Sequence, residues 1–190
     1  MQFIRFSILI ITGCFITSLF TDSYSQKSIN FEKPSKDEII LYNLINVFRA
    51  ANDKSVIKLS KSLSYVAKTH VKDLMAHPPK GRCNMHSWSA DGPWTPCCYT
   101  PDHAKASCMW NKPKELTNYK GYGFENSHWR SINVNPFSAL DGWKTSPGHN
   151  AVILGIGVWS DKKWQSIGVG IYKNYAVIWF GEEVDPDGYW

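Results

Sequence analysis

No stretch of this 190-residue chain concentrates positive charge: 21 Lys and Arg against 16 Asp and Glu leave a net +5 without a basic run. That is the pattern of an ordinary solvated surface and excludes a nucleic-acid footprint. Weak attraction to an anionic envelope surface is the most the balance supports. There is no internal repeat, which excludes a stacked-repeat architecture. There is no H-E-x-x-H helix to hold two metal ligands and a base. The cysteines are few and form no pair of C-x-x-C clusters, the usual layout of a four-cysteine zinc site. The apolar run Phe6–Phe20 is too short and too interrupted for a membrane span.

That run has another reading. Arg5 gives a positive start, Phe6–Phe20 an apolar core, and Ser23-Tyr24-Ser25 places small residues on either side of Tyr24 before a cut after Ser25. Together these describe a secretory signal peptide over 1–25. A second export reading uses Ile11-Thr12-Gly13-Cys14, which resembles a bacterial lipobox with Cys14 lipidated. It ranks lower because the apolar run continues past Cys14. Removing 1–25 deletes Arg5 and Asp22, so the mature charge is 20 − 15 = +5. Residues 26–34 form a short leader. Residues 35–190 are expected to form one monomeric domain, secreted or periplasmic, with no transmembrane span.

Cys83, Cys97, Cys98 and Cys108 remain, and an even count in an exported domain predicts two disulfides. Adjacent Cys97 and Cys98 scarcely pair with each other. Cys83–Cys97 with Cys98–Cys108, or Cys83–Cys98 with Cys97–Cys108, stay open. The cross-links account for order in a long aromatic insertion at about 88–120, where no regular structure is discernible.

Elsewhere the periods are clear. Ser35 with Glu38 forms a capping box before a broad apolar face, Ile39 to Phe48. Val56–Leu59 is a short extended link. Ser60 caps a second helix whose stripe is Leu63, Val66, Ala67, His70, Val71 and Leu74. His70 on that stripe reads as a packed core histidine, and His77 sits at the helix end. Asn135-Pro136 and Ser146-Pro147 open two further helices, with Gly155 ending the second. Ile167–Tyr172 and Tyr175–Phe180 flank Lys173-Asn174 as a hairpin, with Gly168 and Gly170 leaving one face bare. The fold class is α+β, an antiparallel sheet with helices packed on it.

Three short stretches carry chemistry. Cys83-Asn84-Met85-His86-Ser87-Trp88 carries His86. Gly121-Tyr122-Gly123-Phe124-Glu125-Asn126-Ser127 carries Glu125 in what reads as a glycine-flanked turn. Ser146-Pro147-Gly148-His149 carries His149. With the Ile167–Gly181 strands, these resemble the CAP superfamily (cysteine-rich secretory, antigen 5, pathogenesis-related; the SCP domain), in its exported bacterial form. The W-x-x-S-P-G-H stretch beginning at Trp143 is the most specific match, and the likeness spans roughly Glu38 to Gly181. It implies an α-β-α sandwich with a central antiparallel sheet. It also implies a surface cavity with two histidines and two acids, in several members binding a divalent metal. The matched positions are His86, His149 and Glu125. The second acid falls at Ser146, so one corner is missing. The insertion is longer than the family minimum and has the length to roof the cavity.

Two imidazoles and a carboxylate suit Zn²⁺ held weakly, with open positions for water. No nucleophile stands out: Ser87 adjoins His86 only in sequence, and oxidised cysteines are inert. Three functions follow. One is a secreted module whose cavity binds a divalent metal or small ligand. Another is a metal- or His/Glu-dependent envelope hydrolase. The third is a disulfide-stabilised interaction protein with a structural polar cluster, its partner an envelope component.

Overall fold

The computed structural model describes residues 27–190; the expected signal peptide and Cys14 lie outside the described residues. Helix α1 (Lys36–Ala50) begins as its sequence demands. Ser35 Oγ accepts from the Glu38 amide, and Glu38 accepts in turn from the Ser35 amide at 2.7 Å. Strand β1 (Lys58–Leu59) is brief, and α2 (Lys61–Ala76) starts at Ser60, which caps Leu63 N–H. The insertion holds two short helices that sequence periodicity did not reveal, α3 (Ala106–Trp110) and α4 (Lys112–Leu116). Then come β2 (Phe124–Trp129), α5 (Pro136–Thr145), α6 (Pro147–Leu154), β3 (Ser166–Tyr172) and β4 (Tyr175–Gly181).

The sheet order is β1-β3-β4-β2. Its body, β3-β4-β2, is antiparallel as expected, while β1 joins β3 in parallel and makes the sheet mixed. The alternation of β4 separates the layers, because successive side chains of a strand face opposite sides. Ala176, Ile178 and Phe180 pack with α1, α5 and α6. Tyr175, Val177 and Trp179 pack with α2 and the insertion. The result is an α-β-α sandwich.

The bare stripe on β3 has a measurable purpose. A Cβ at Gly168 would lie 2.1 Å from the Leu63 carbonyl carbon, and one at Gly170 would lie 2.5 Å from that of Ala67. Helix α2 therefore rests its backbone on the sheet, closer than any side chain allows. On the other face, Trp143 is fully buried and its indole N–H donates to Ser127 O at 3.0 Å, tying α5 to β2. Arg49 crosses from α1 to donate to Ile153 O in the last turn of α6, where a cation is favoured. Burial lowers its pKa to about 10. These ties fix α6, and with it His149, relative to the sheet.

Candidate functional site

Each site histidine is held by a different local device. His86 follows Cys83, which is bonded to Cys98; Cys97 is bonded to Cys108. This is the second of the two pairings left open by the sequence. Within that frame Asn84 Oδ1 accepts from His86 N–H at 3.0 Å, and Asn84 N–H donates to Tyr99 O at 2.9 Å. His149 lies in the first turn of α6, between Pro147 and the left-handed Gly155 (φ 58°). The Ser146 side chain makes no capping hydrogen bond there, contrary to expectation; the fixed φ of Pro147 starts the helix instead. At Asn135 both bonds of a cap are present.

Glu125 is on a strand and not in a turn. It pairs with Trp179 of β4 and so faces α2 and the insertion. The flanking glycines serve close packing: a Cβ at Gly123 would lie 2.5 Å from Trp179 and 2.6 Å from Pro113.

The Glu125 carboxylate, fully buried, meets two imidazoles. Oε1 is 2.5 Å from His70 Nδ1, and Oε2 is 2.8 Å from His86 Nδ1. His70 is the residue that sequence reasoning placed only in the core. It is buried in the α2 stripe, stacked on Trp88 at 4.3 Å, and its Nε2 is 2.9 Å from Ser87 O. A carbonyl only accepts, so Nε2 carries a proton. Both of its ring nitrogens thus face acceptors, and the His70–Glu125 pair shares one further proton. Burial pushes the Glu125 carboxyl up, but the His70 charge and the bonds from His70 and His86 outweigh it, and the net shift is downward. With Nδ1 of His86 donating to Glu125, Nε2 is the ring nitrogen left for a ligand.

Off the edge strand β2 opens a cavity of about 450 Å³. His86, Glu125 and Asn126 form its polar end, and His149 enters from α6. The three matched residues, far apart in sequence, line one space. Asn126 Nδ2 donates to His149 O at 2.9 Å, which anchors the turn carrying that imidazole. Burial lowers the His149 pKa, as do the charges of His86 and His128, against the opposing pull of Glu125. Its imidazole is therefore neutral, a lone-pair donor, at neutral pH. Most of the remaining wall is apolar: Met109, Trp110, Phe124, Val152 and Trp159. Tyr99 and His103 of the insertion also line it, and sequence reasoning had singled out neither.

Two expectations narrow here. Both Glu125 oxygens are occupied by imidazoles, so Glu125 stands behind His86 as its support. Among the described residues, no group of three or more His, Cys, Asp or Glu is placed to hold a metal ion. Two imidazoles are too few protein ligands for a closed metal site. Ser87 Oγ is buried against the Tyr99 backbone, accepting from Tyr99 N–H at 2.9 Å. It is bound to that amide and not to the neighbouring imidazole.

A sequence profile of the cysteine-rich secretory protein (CAP) family matches residues 42–180. The chain belongs to this family. No curated protein sequence matches the CAP chain significantly, whereas solved structures do. An extracellular SCP-domain protein of Bacillus anthracis superposes with a TM-score of 0.52 at 17% identity, over 77% of this chain and 40% of that one. A Staphylococcus aureus cysteine-rich secretory protein gives 0.50 at 16%, over 85% and 45%. An outer surface protein of Borrelia burgdorferi gives 0.52 at 15%, over 84% of this chain and 99% of that one. At these identities the likeness is one of fold, and the chain spans less than half the length of the first two. Among the described residues no helix is long and apolar enough to cross a membrane.

Proposed function

We propose that this CAP-domain chain is a secreted or periplasmic binding module whose cavity takes a small, largely apolar ligand, with the ligand's polar group meeting the imidazoles of the cavity wall. The supporting observation is the wall composition: a cavity of about 450 Å³ with a mostly apolar, aromatic wall that also carries the imidazoles of His86, His103 and His149, within the range of small-molecule sites. The export layout of residues 1–25 supports the secreted location, and N-terminal sequencing of the mature protein is expected to begin at Gln26. A chain beginning at a lipidated Cys14 would make it a surface lipoprotein instead.

Gly148 provides the test. It lines the cavity, and a Cβ there meets no atom within 4 Å, so Gly148→Trp adds bulk at the cavity wall without a clash at Cβ. Native mass spectrometry of protein recovered from its own source is expected to show a small-molecule adduct on the wild type and none on the variant. Unliganded masses for both would count against the reading.

A second reading, Zn²⁺ held by His86 and His149, draws support from the Glu125 bond that leaves His86 Nε2 free. In that case the two imidazoles would hold the ion, water would complete its shell, and the bound ion would supply Lewis acidity. Zn²⁺ titration of the wild type and of a His86→Ala, His149→Ala double variant separates the two readings; equal uptake would remove the metal.

A further inference from the structure

We propose that His103 is a ligand-contacting residue of this cavity, and that with His86 it selects an aromatic alcohol, the ring on the aromatic wall and the hydroxyl between the two imidazoles. The proposal rests on the cavity reading above. It begins from an anomaly. His103 holds a left-handed backbone, φ 57°, which is unfavourable for a residue with a Cβ and persists where its surroundings impose it. The surroundings do so here. His103 N–H donates to Thr100 O at 2.9 Å, its carbonyl accepts from Ala106 N–H at 3.1 Å, and its Nδ1 is 2.8 Å from the Tyr99 hydroxyl. The whole turn lies inside the loop closed by Cys97–Cys108, while Cys98, next to Tyr99, is tied to Cys83. Both disulfides thus hold the part of the cavity wall that carries Tyr99 and His103.

Tyr99 also relates His103 to the older part of the site. Its ring packs edge-on against His86, with centroids 5.1 Å apart, and all three residues line the same cavity. The two histidines offer complementary faces. His86 donates from Nδ1 to Glu125, which leaves Nε2 as an acceptor. The Tyr99 hydroxyl lies 2.8 Å from His103 Nδ1; with the phenol as donor in that contact, the imidazole proton sits on Nε2 and faces the ligand as a donor. A hydroxyl both donates and accepts, so it satisfies both. An ether cannot donate, and a carboxylate brings only lone pairs to the His86 acceptor. The body of the ligand follows from the wall: Trp110, Phe124 and Trp159 are contiguous, with centroid spacings of 5.5 and 5.2 Å and rings inclined at 53° and 71°, so that they offer an aromatic guest both faces and edges.

Fluorescence titration with 2-naphthol, 2-methoxynaphthalene and 2-naphthoate tests this. The wild type is expected to bind 2-naphthol about tenfold more tightly than the methyl ether, the scale of one hydrogen bond, and 2-naphthoate most weakly. His103→Phe and Tyr99→Phe should abolish the preference for 2-naphthol over its methyl ether. Parity between 2-naphthol and its ether in the wild type, tighter binding of 2-naphthoate, or a preference surviving His103→Phe overturns the proposal and leaves the cavity reading standing. If none of the probes binds, the proposal falls, and the cavity reading stands or falls on the native mass spectrometry of the wild type and Gly148→Trp.

Discussion

His70 and Glu125, 55 residues apart, meet at 2.5 Å with neither side chain exposed to solvent. The contact joins a helix in one layer to the edge strand of the sheet, and Glu125 passes it on to His86. A buried ion pair stabilises weakly as a pair, yet removing one partner strands the other. His70→Phe keeps a ring to stack on Trp88 but leaves Glu125 without its main counter-charge. A loss of about 3–5 kcal/mol is expected by guanidinium denaturation. A loss below about 1 kcal/mol, the scale of an exposed pair, would show that the pair is not set as described.

The sign of the pH dependence follows from three groups. His149 and His128 both titrate below 6.5 when folded, chiefly through burial. Below about 6.5 the unfolded chain therefore binds more protons at these positions, and stability falls as pH drops. Glu125 is depressed from 4.5. Its contribution is complete above that value and is lost as pH falls through the folded pKa. Denaturation midpoints should fall from pH 7 to 5, and again below about 4.5. A His128→Gln, His149→Gln variant should flatten the first limb and keep the second. An unchanged first limb would contradict the assignment.

Gly168 and Gly148 make a contrasting pair. The first faces the α2 backbone and the second faces open space. Gly168→Ala must lift α2 from the sheet and is expected to cost about 3 kcal/mol or more. Gly148→Ala should stay within about 0.5 kcal/mol. Thermal melts of the two variants check this, and equal midpoints would contradict the close approach of α2 to β3.

Where local chemistry decides, the sequence was readable. The Ser35–Glu38 box, the Asn135-Pro136 start, the β3–β4 hairpin and the bare glycine stripe are all present as expected. His86 and His149 were accessible through short motifs with their own rigid frames. Glu125 reaches the cavity wall, but from a strand and not from a turn. Gly121 and Gly123 suggest a turn, but they are small because Glu183, Trp179 and Pro113 crowd them. The burial of His70 was legible from its stripe, whereas its partner was not, since strand register decides which face Glu125 takes. Tyr99 and His103 gave no periodic signal. Their place in the cavity depends on which cysteines pair, and four cysteines alone do not determine that.

The central claim, that one cavity brings His86, His103 and His149 to a single ligand, is tested most directly by following the imidazole carbon-bound protons during an NMR titration with 2-naphthol. Resonances of those three are expected to move on one isotherm. His77, paired with Asp91 outside the cavity, should stay still, and Gly148→Trp should silence all three. Shifts at His77 of the same size, or no shift at His86 and His149, would contradict the account.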